Sequence, residues 1–148
     1  MERSATAVWR GGPGAGEGHV STSSGVIDNA LYAFGSSFGN DPCTSPTEML
    51  AGALASCTSM MVAQELSRIQ VRSDGITTTA TLKLEQQTDG WRVTRGTVKI
   101  SVMVGEIDPS ELLKAIAEAA SKCPISRALN APISVETKLE PVAVHAHA

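Results

Sequence analysis

The 148-residue sequence predicts an α+β protein on three features: two capped segments with helical apolar spacing, a long pair of alternating strands joined by a tight turn, and a Gly- and Ser-rich amino-terminal stretch carrying short β-prone pieces. The length suits a single domain, 1–148, able to bury about 68–70% of its unfolded surface around one core but not two.

Taken in order, the β-prone pieces are Thr6–Trp9, His19–Thr22 and Tyr32–Phe34, with GGPGAGEG as the loop between the first two; together they predict a small amino-terminal sheet. Ser45-Pro46-Thr47-Glu48 then reads as a helix start: Ser caps, Pro occupies the first helical position, and Glu three residues after the cap closes a capping box. The helix should run from about Pro46 to Ser67, with Leu50, Ala53, Leu54, Cys57, Met60 and Met61 as its buried stripe. Ile76, Thr78, Ala80, Leu82 and Leu84 alternate with polar residues as a strand, and Asp89-Gly90 supplies the hairpin turn. In the return strand Trp91 and Val93 fall on odd positions but Val98, Ile100, Val102 and Val104 on even ones, which predicts a bulge, placed at Gly96. Asp108-Pro109-Ser110-Glu111 opens a second helix whose Leu112, Leu113, Ile116, Ala119, Ala120 and Cys123 share a face, and Pro124 ends or kinks it. A last strand points Ile133, Val135, Thr137 and Leu139 inward. The core spans about 5–140, and 142–148 reads as a frayed tail.

Composition removes several function classes. Two Trp, two Phe and one Tyr give few stacking rings, and 12 basic against 15 acidic residues give a net charge of -3, so nucleic acid is not an expected partner. The amino end, MERSATAVWRGG, has no apolar h-region, and the charge-free stretch from Met49 to Ala63 is too short for a membrane span; a soluble, non-exported, cytoplasmic protein without membrane contact is expected. The cysteines Cys43, Cys57 and Cys123 are therefore expected as reduced thiols. Neither they nor His19, His145 and His147 offer the local spacing of a zinc site, so no metal is expected.

Cys57 and Cys123 are each in phase with the apolar stripe of a helix, where a free Cys is most often a small inert hydrophobe. Two such thiols on the two principal helices open a second reading. Helices packed by their apolar stripes can bring these positions within disulfide reach, as an attacking and a resolving thiol. Glu48 lies nine residues before Cys57. That spacing is about 900° and 13.5 Å along an α-helix, so the two cannot meet within one helix. Glu48 is a capping-box residue, or it serves Cys57 across a symmetric dimer interface; the two roles are compatible.

The run TSPTEMLAGALASCTSMM, with KCPISRALN placing Cys123 66 residues after Cys57, resembles the paired cysteine motifs of the OsmC/Ohr family of thiol-dependent peroxidases. The upstream AVWRGGPGAGEGHVSTSSGVI and YAFGSSFGNDPCTSPTE are similar to its OsmC branch in order and spacing, so the resemblance covers about residues 5–140. It implies an OsmC-like fold, two antiparallel sheets around two central helices, in which two chains interleave as a homodimer with active sites at the interface. By the same resemblance Cys57 is the peroxidatic cysteine, Cys123 the resolving cysteine, and Glu48 the carboxylate that orients a catalytic arginine. That arginine belongs at Ser37 in the OsmC branch and in the stretch of Glu17 in the Ohr branch, and neither residue is basic here. Arg127, four residues past Cys123, and Arg10 are candidates to replace it, with Arg127 preferred, although an arginine is more often a surface charge. Cys43 stands where the family carries a small residue such as Gly, and no role is expected of it.

What the resemblance implies is a peroxidase of oxidative or osmotic stress defence. It would reduce organic hydroperoxides, and hydrogen peroxide, through a sulfenate and then a disulfide, reset by an external dithiol of lipoyl type. No metal, flavin or haem is required, and Leu50, Leu54, Met60 and Met61 would line an apolar pocket for the peroxide tail. The alternative is an OsmC-like dimer of weakened catalysis that acts as a redox sensor or binds a hydrophobic ligand.

Overall fold

The computed structural model describes residues 1–12, 15–33, 35 and 43–141. The chain divides into two compact units, Met1–Leu50 and Ala51–Ala148. Phe34, Ser37 and the 142–148 tail, each part of the sequence reading, lie outside the described residues.

The first unit is built on strands β1 (Ala5–Arg10), β2 (Glu17–Thr22) and β3 (Ala30–Ala33), paired antiparallel in that order. All three β-prone pieces thus form the expected sheet. Trp9 and Tyr32 face each other across Gly18, with ring centroids 5.8 Å apart. Helix α1 (Pro46–Arg68) starts here, where the Ser45 hydroxyl accepts the Glu48 N–H at 3.1 Å. This is the capping half of the expected box. The Glu48 carboxylate does not return to the cap but accepts the Thr44 hydroxyl at 2.8 Å.

In the second unit α1 continues, followed by β4 (Ser73–Gln87), β5 (Gly90–Val104), α2 (Pro109–Lys122), α3 (Pro124–Ala128) and β6 (Ile133–Pro141). Strands β4 and β5 pair antiparallel, but β6 pairs parallel to β5. The expectation of two antiparallel sheets therefore fails at this one strand. The reason is the connection: β5 runs through α2 and α3 before β6, and a helical crossover returns the chain in the same direction.

Two details of the hairpin also differ from expectation. Thr88 and Asp89 form its turn, and Gly90, at φ 122°, opens the return strand. The parity change falls at Thr94, because Lys83 faces Arg95 while Leu84 faces Val93. Thr94 occupies the extra position with its hydroxyl donated to the Glu85 carboxylate. Gly96 instead makes room for β6: a Cβ there would lie 2.6 Å from Ile133 Cδ1 and 2.9 Å from Leu82 Cδ2.

The core of this unit joins Leu54, Val62 and Leu66 of α1, alternate residues of β5 from Val98 to Val104, and Leu112, Ile116 and Ala119 of α2. Asp108 caps α2 by accepting the Ser110 N–H at 2.9 Å. Burial selects a narrower row on each helix than periodicity suggests. On α1 the buried residues are Leu54, Thr58, Val62, Glu65 and Leu66, whereas Met60 is 72% exposed and Cys57 lies at the edge of the row, half-buried. Leu113 of α2 and Val135 of β6 are likewise exposed, at 45% and 41%. These four-residue steps, Leu54 to Thr58 to Val62 to Leu66, keep one helix row against the sheet. Glu65 is held in that row by Arg68, at 2.6 Å, and by Lys122, at 3.9 Å, and the Arg68 guanidinium keeps its carboxyl below the usual carboxylate range.

Candidate active site

Two sequence decisions bring a pair of sulfurs together. Cys57 sits on α1 at the margin of its buried row. Cys123 sits where α2 must stop: Pro124 disfavours helical backbone in the residue before it, and Cys123 adopts the extended angles φ -60° and ψ 115°. This residue is at once the C-cap of α2, donating its N–H to Ala120 O at 3.3 Å, and the N-cap of α3, accepting the Arg127 N–H on its carbonyl at 3.0 Å. The turn drives the side chain into the core, where Cys123 has no exposed surface.

Cys57 packs against the core cluster that contains Cys123, and the two thiols are close enough to shift one another's ionisation. The Cys123 sulfur accepts the Ser126 N–H at 3.5 Å. Burial and the neighbouring Cys123 push the Cys57 thiol up from its ordinary value. Burial also pushes Cys123 up, but the Ser126 N–H and its other neighbours outweigh it and bring that thiol down.

The other expected site residues are placed as follows. Glu48 belongs to the first unit, exposed in the first turn of α1. Arg127 lies on α3 with an exposed side chain, and no cation among the described residues contributes to the shift of either thiol. Arg10 and Glu17 end and begin the facing strands β1 and β2 in the first unit, directly paired. Cys43, also in the first unit, is half-buried beside the bridge between Thr44 and Tyr32.

A cavity of about 210 Å³ is lined by Leu54, Thr58, Val98, Ala120, Ser126, Ile133 and Val135 among others. Of the residues expected to line an apolar pocket, Leu54 does so, whereas Met60 faces outward. Thr58 and Ser126 were not singled out by sequence. Thr58 carried a signal all the same, as a hydroxyl one turn after Leu54 and one turn before Val62 in an otherwise apolar row.

An α+β chain that sets a partly exposed thiol against a buried one, across its two main helices, is a two-cysteine thiol protein by construction. Residues 39–138 match the family described as OsmC-like protein. Peroxiredoxin OsmC of Escherichia coli K12 is 32% identical over 140 residues, which is 95% of this chain and 98% of that protein. The chain belongs to the OsmC-like family. Solved structures agree on the fold. An OsmC-like protein of unknown function from Vibrio cholerae matches with a TM-score of 0.78 at 18% identity, covering 93% of this chain and 99% of that one. An organic hydroperoxide resistance protein from Elizabethkingia anophelis matches with a TM-score of 0.73 at 19% identity, covering 95% and 99%. Among the described residues, no helix is long and apolar enough to cross a membrane.

Proposed function

We propose that the protein is a cysteine-based peroxidase that reduces organic hydroperoxides, with hydrogen peroxide as a second substrate, in stress defence in the cytoplasm. The observation that carries this reading is the pair itself: two neighbouring cysteines packed in one core cluster, one reachable from outside and one not. Kinship with a protein named peroxiredoxin supports the same reaction class.

Accessibility assigns the roles. A peroxide oxygen must reach the attacking sulfur, and Cys123 offers it no surface, so Cys57 attacks although burial pushes its thiol up. The Cys57 thiolate takes the terminal oxygen of the hydroperoxide, the O–O bond breaks, and the alkoxide leaves as alcohol with a proton. Cys57 is now a sulfenic acid. The neighbouring Cys123 displaces its hydroxyl as water and forms the Cys57–Cys123 disulfide. A lipoyl-type dithiol supplies two electrons to restore both thiols. Neither metal nor organic cofactor enters any of these steps.

Glu48 and a cation complete the site in an interleaved homodimer. Support for a dimer comes from the first unit, whose sheet leaves Val8 46% and Leu31 41% exposed on one face, in register through His19, apolar surface that a second chain would cover. In that assembly Glu48 orients the cation that lowers the Cys57 thiol, and Arg127 is the candidate within the second unit. A second reading, a weakened dimer that senses redox state or binds a hydrophobic ligand, is favoured by one observation: no cation among the described residues acts on either sulfur.

Stopped-flow mixing with cumene hydroperoxide separates them. The peroxidase reading expects wild type to consume peroxide at least about a hundredfold faster than Cys57→Ser, since the nucleophile itself is removed. Equal rates sink it in favour of the second.

A further inference from the structure

We propose that Glu65 is a positioning residue for the resolving step: through Lys122 it holds the end of α2, and with it Cys123, at the distance from α1 at which Cys57 and Cys123 close into a disulfide. This rests on the reading that the two thiols form that disulfide.

Glu65 breaks the pattern of its helix row. Leu54, Val62 and Leu66 are apolar, and Glu65 lies among them at 6% exposure. A carboxylate taken out of water costs free energy that packing does not return, so it needs cations beside it. Its two oxygens meet different ones. Oε1 accepts Nε of Arg68 at 2.8 Å and Nη2 of the same guanidinium at 2.6 Å, one turn on in α1. Oε2 faces Lys122 Nζ at 3.9 Å, and Lys122 also donates to Glu118 at 2.6 Å within α2. Arg68 matches the charge of Glu65 from the same helix, so neutralisation does not call for Lys122. What Lys122 adds is a link. Among the described residues, Glu65–Lys122 is the one ion pair that joins α1 to α2.

The link sits where the resolving sulfur is placed. Lys122 is the last residue of α2, and Cys123 follows it as the C-cap, tied to the last turn by its N–H on Ala120 O at 3.3 Å. Where that turn goes, the Cys123 backbone goes. Cys57 lies on α1, eight residues before Glu65. A disulfide accepts only about 4.4–6.8 Å between Cα atoms, so a displacement of about 2 Å at the end of α2 decides whether the bond can form. In the step itself the Cys123 sulfur bonds to the Cys57 sulfur of the sulfenic acid, the S–O bond breaks, and the hydroxyl leaves as water with the Cys123 proton. Glu65 lies about 12 Å along the helix axis from Cys57, so it acts through the helix end and touches no reacting atom.

The test equilibrates the full-length protein with mixtures of reduced and oxidised glutathione, without peroxide, and counts the internal disulfide by alkylation and mass shift. One oxidised glutathione takes two electrons from the two thiols and leaves as two reduced molecules, so the equilibrium constant measures how well the fold presents Cys123 to Cys57. Glu65→Gln and Lys122→Gln should each lower that constant about threefold to fivefold, the scale a partly exposed ion pair can supply. Together they should lower it about as far as either alone, because both remove one link. Arg68→Gln and Glu118→Gln leave the link in place and should stay within about 1.5-fold, although Arg68→Gln takes two hydrogen bonds from a buried carboxylate and should lower the urea midpoint the most. In Lys122→Gln, oxidation of Cys57 by cumene hydroperoxide should stay within about twofold of wild type, while the sulfenic acid trapped by dimedone persists about threefold to fivefold longer. Lys122→Gln with the wild-type constant overturns the proposal, as does a constant that follows the urea midpoint across the four variants, which is what a merely structural role predicts. Should Glu65→Gln not fold, Lys122→Gln at the surface carries the test. If the constant shows the expected dependence but peroxide is not consumed, the peroxidase reading fails and this inference stands. If peroxide is consumed and the disulfide forms equally well in every variant, this inference alone fails. If no Cys57–Cys123 disulfide forms, both fall.

Discussion

Cys57 and Cys123 look alike in the sequence, each a small apolar residue in phase with its helix, yet the fold gives them opposite surroundings. Cys57 lies on a regular turn of α1 at the edge of the buried row, with part of its surface open. Cys123 lies at a break between two helices, sealed from solvent, with the Ser126 N–H directed at its sulfur. What separates them is backbone irregularity. A residue inside a helix finds nearby N–H groups already committed to carbonyls, whereas the first turn after a break leaves N–H groups free for a sulfur. Proline at position 124 creates that break.

The sharpest test of this division is to remove the buried partner. Cys123→Ser should keep the first encounter with peroxide, because Cys57 remains accessible, but it cannot form the internal disulfide. Expected is a single turnover at close to the wild-type rate, followed by a fall of about a hundredfold or more in steady-state consumption with dihydrolipoamide. Mass spectrometry should find Cys57 advancing to sulfinic acid under excess peroxide. If Cys123→Ser instead loses the first turnover, the roles of the two thiols are exchanged.

A smaller effect probes the electrostatics. The Cys57 thiol is pushed up by burial and by Cys123, and only its thiolate attacks. The thiolate fraction grows about tenfold for each pH unit while pH stays below the thiol's value, and that value lies above the ordinary 8.5 or so. Without a cation at Cys57, the second-order rate with cumene hydroperoxide would therefore keep rising through pH 8 without a plateau. The proposed assembly, in which Glu48 orients a cation that lowers the Cys57 thiol, expects a plateau below pH 8, and a rate that rises through pH 8 without one counts against that cation.

How much of this was legible before the fold was seen depends on whether the signal was local. Helix starts were: Ser45 and Asp108 cap as read, because a cap is fixed by four adjacent residues. Pro124 marked the stop of α2 for the same reason. The direction of β6 was not legible, since alternation gives a strand's faces but not its sense, and only the crossover through α2 and α3 sets that. Gly96 was misread as a bulge because glycine answers two needs, a bend or a close approach, and the approaching Ile133 comes from far along the chain. The motif pair singled out both cysteines, but their inequality comes from burial and from the Ser126 N–H freed at the turn, and a backbone donor leaves no letter in a sequence.

The same inequality should show in stability, more weakly and without any chemistry. Replacing a sealed side chain removes contacts on every side and leaves a void that its neighbours can only partly fill, whereas a side chain at the rim of the core gives up contacts it holds on one side alone. Cys123 packs in the cluster formed by Leu54, Ile116 and Ala119, at 0% exposure; Cys57 is packed against that cluster from its margin. Urea melts of the reduced protein should find Cys123→Ala destabilised by about 1 kcal/mol, with Cys57→Ala costing about half as much or less. The double variant should fall short of the sum of the two single losses, because the packing between the two residues is counted in both. Equal single losses that simply add would mean that the two thiols are not in contact in solution, and that Cys57 is as deeply enclosed as its partner.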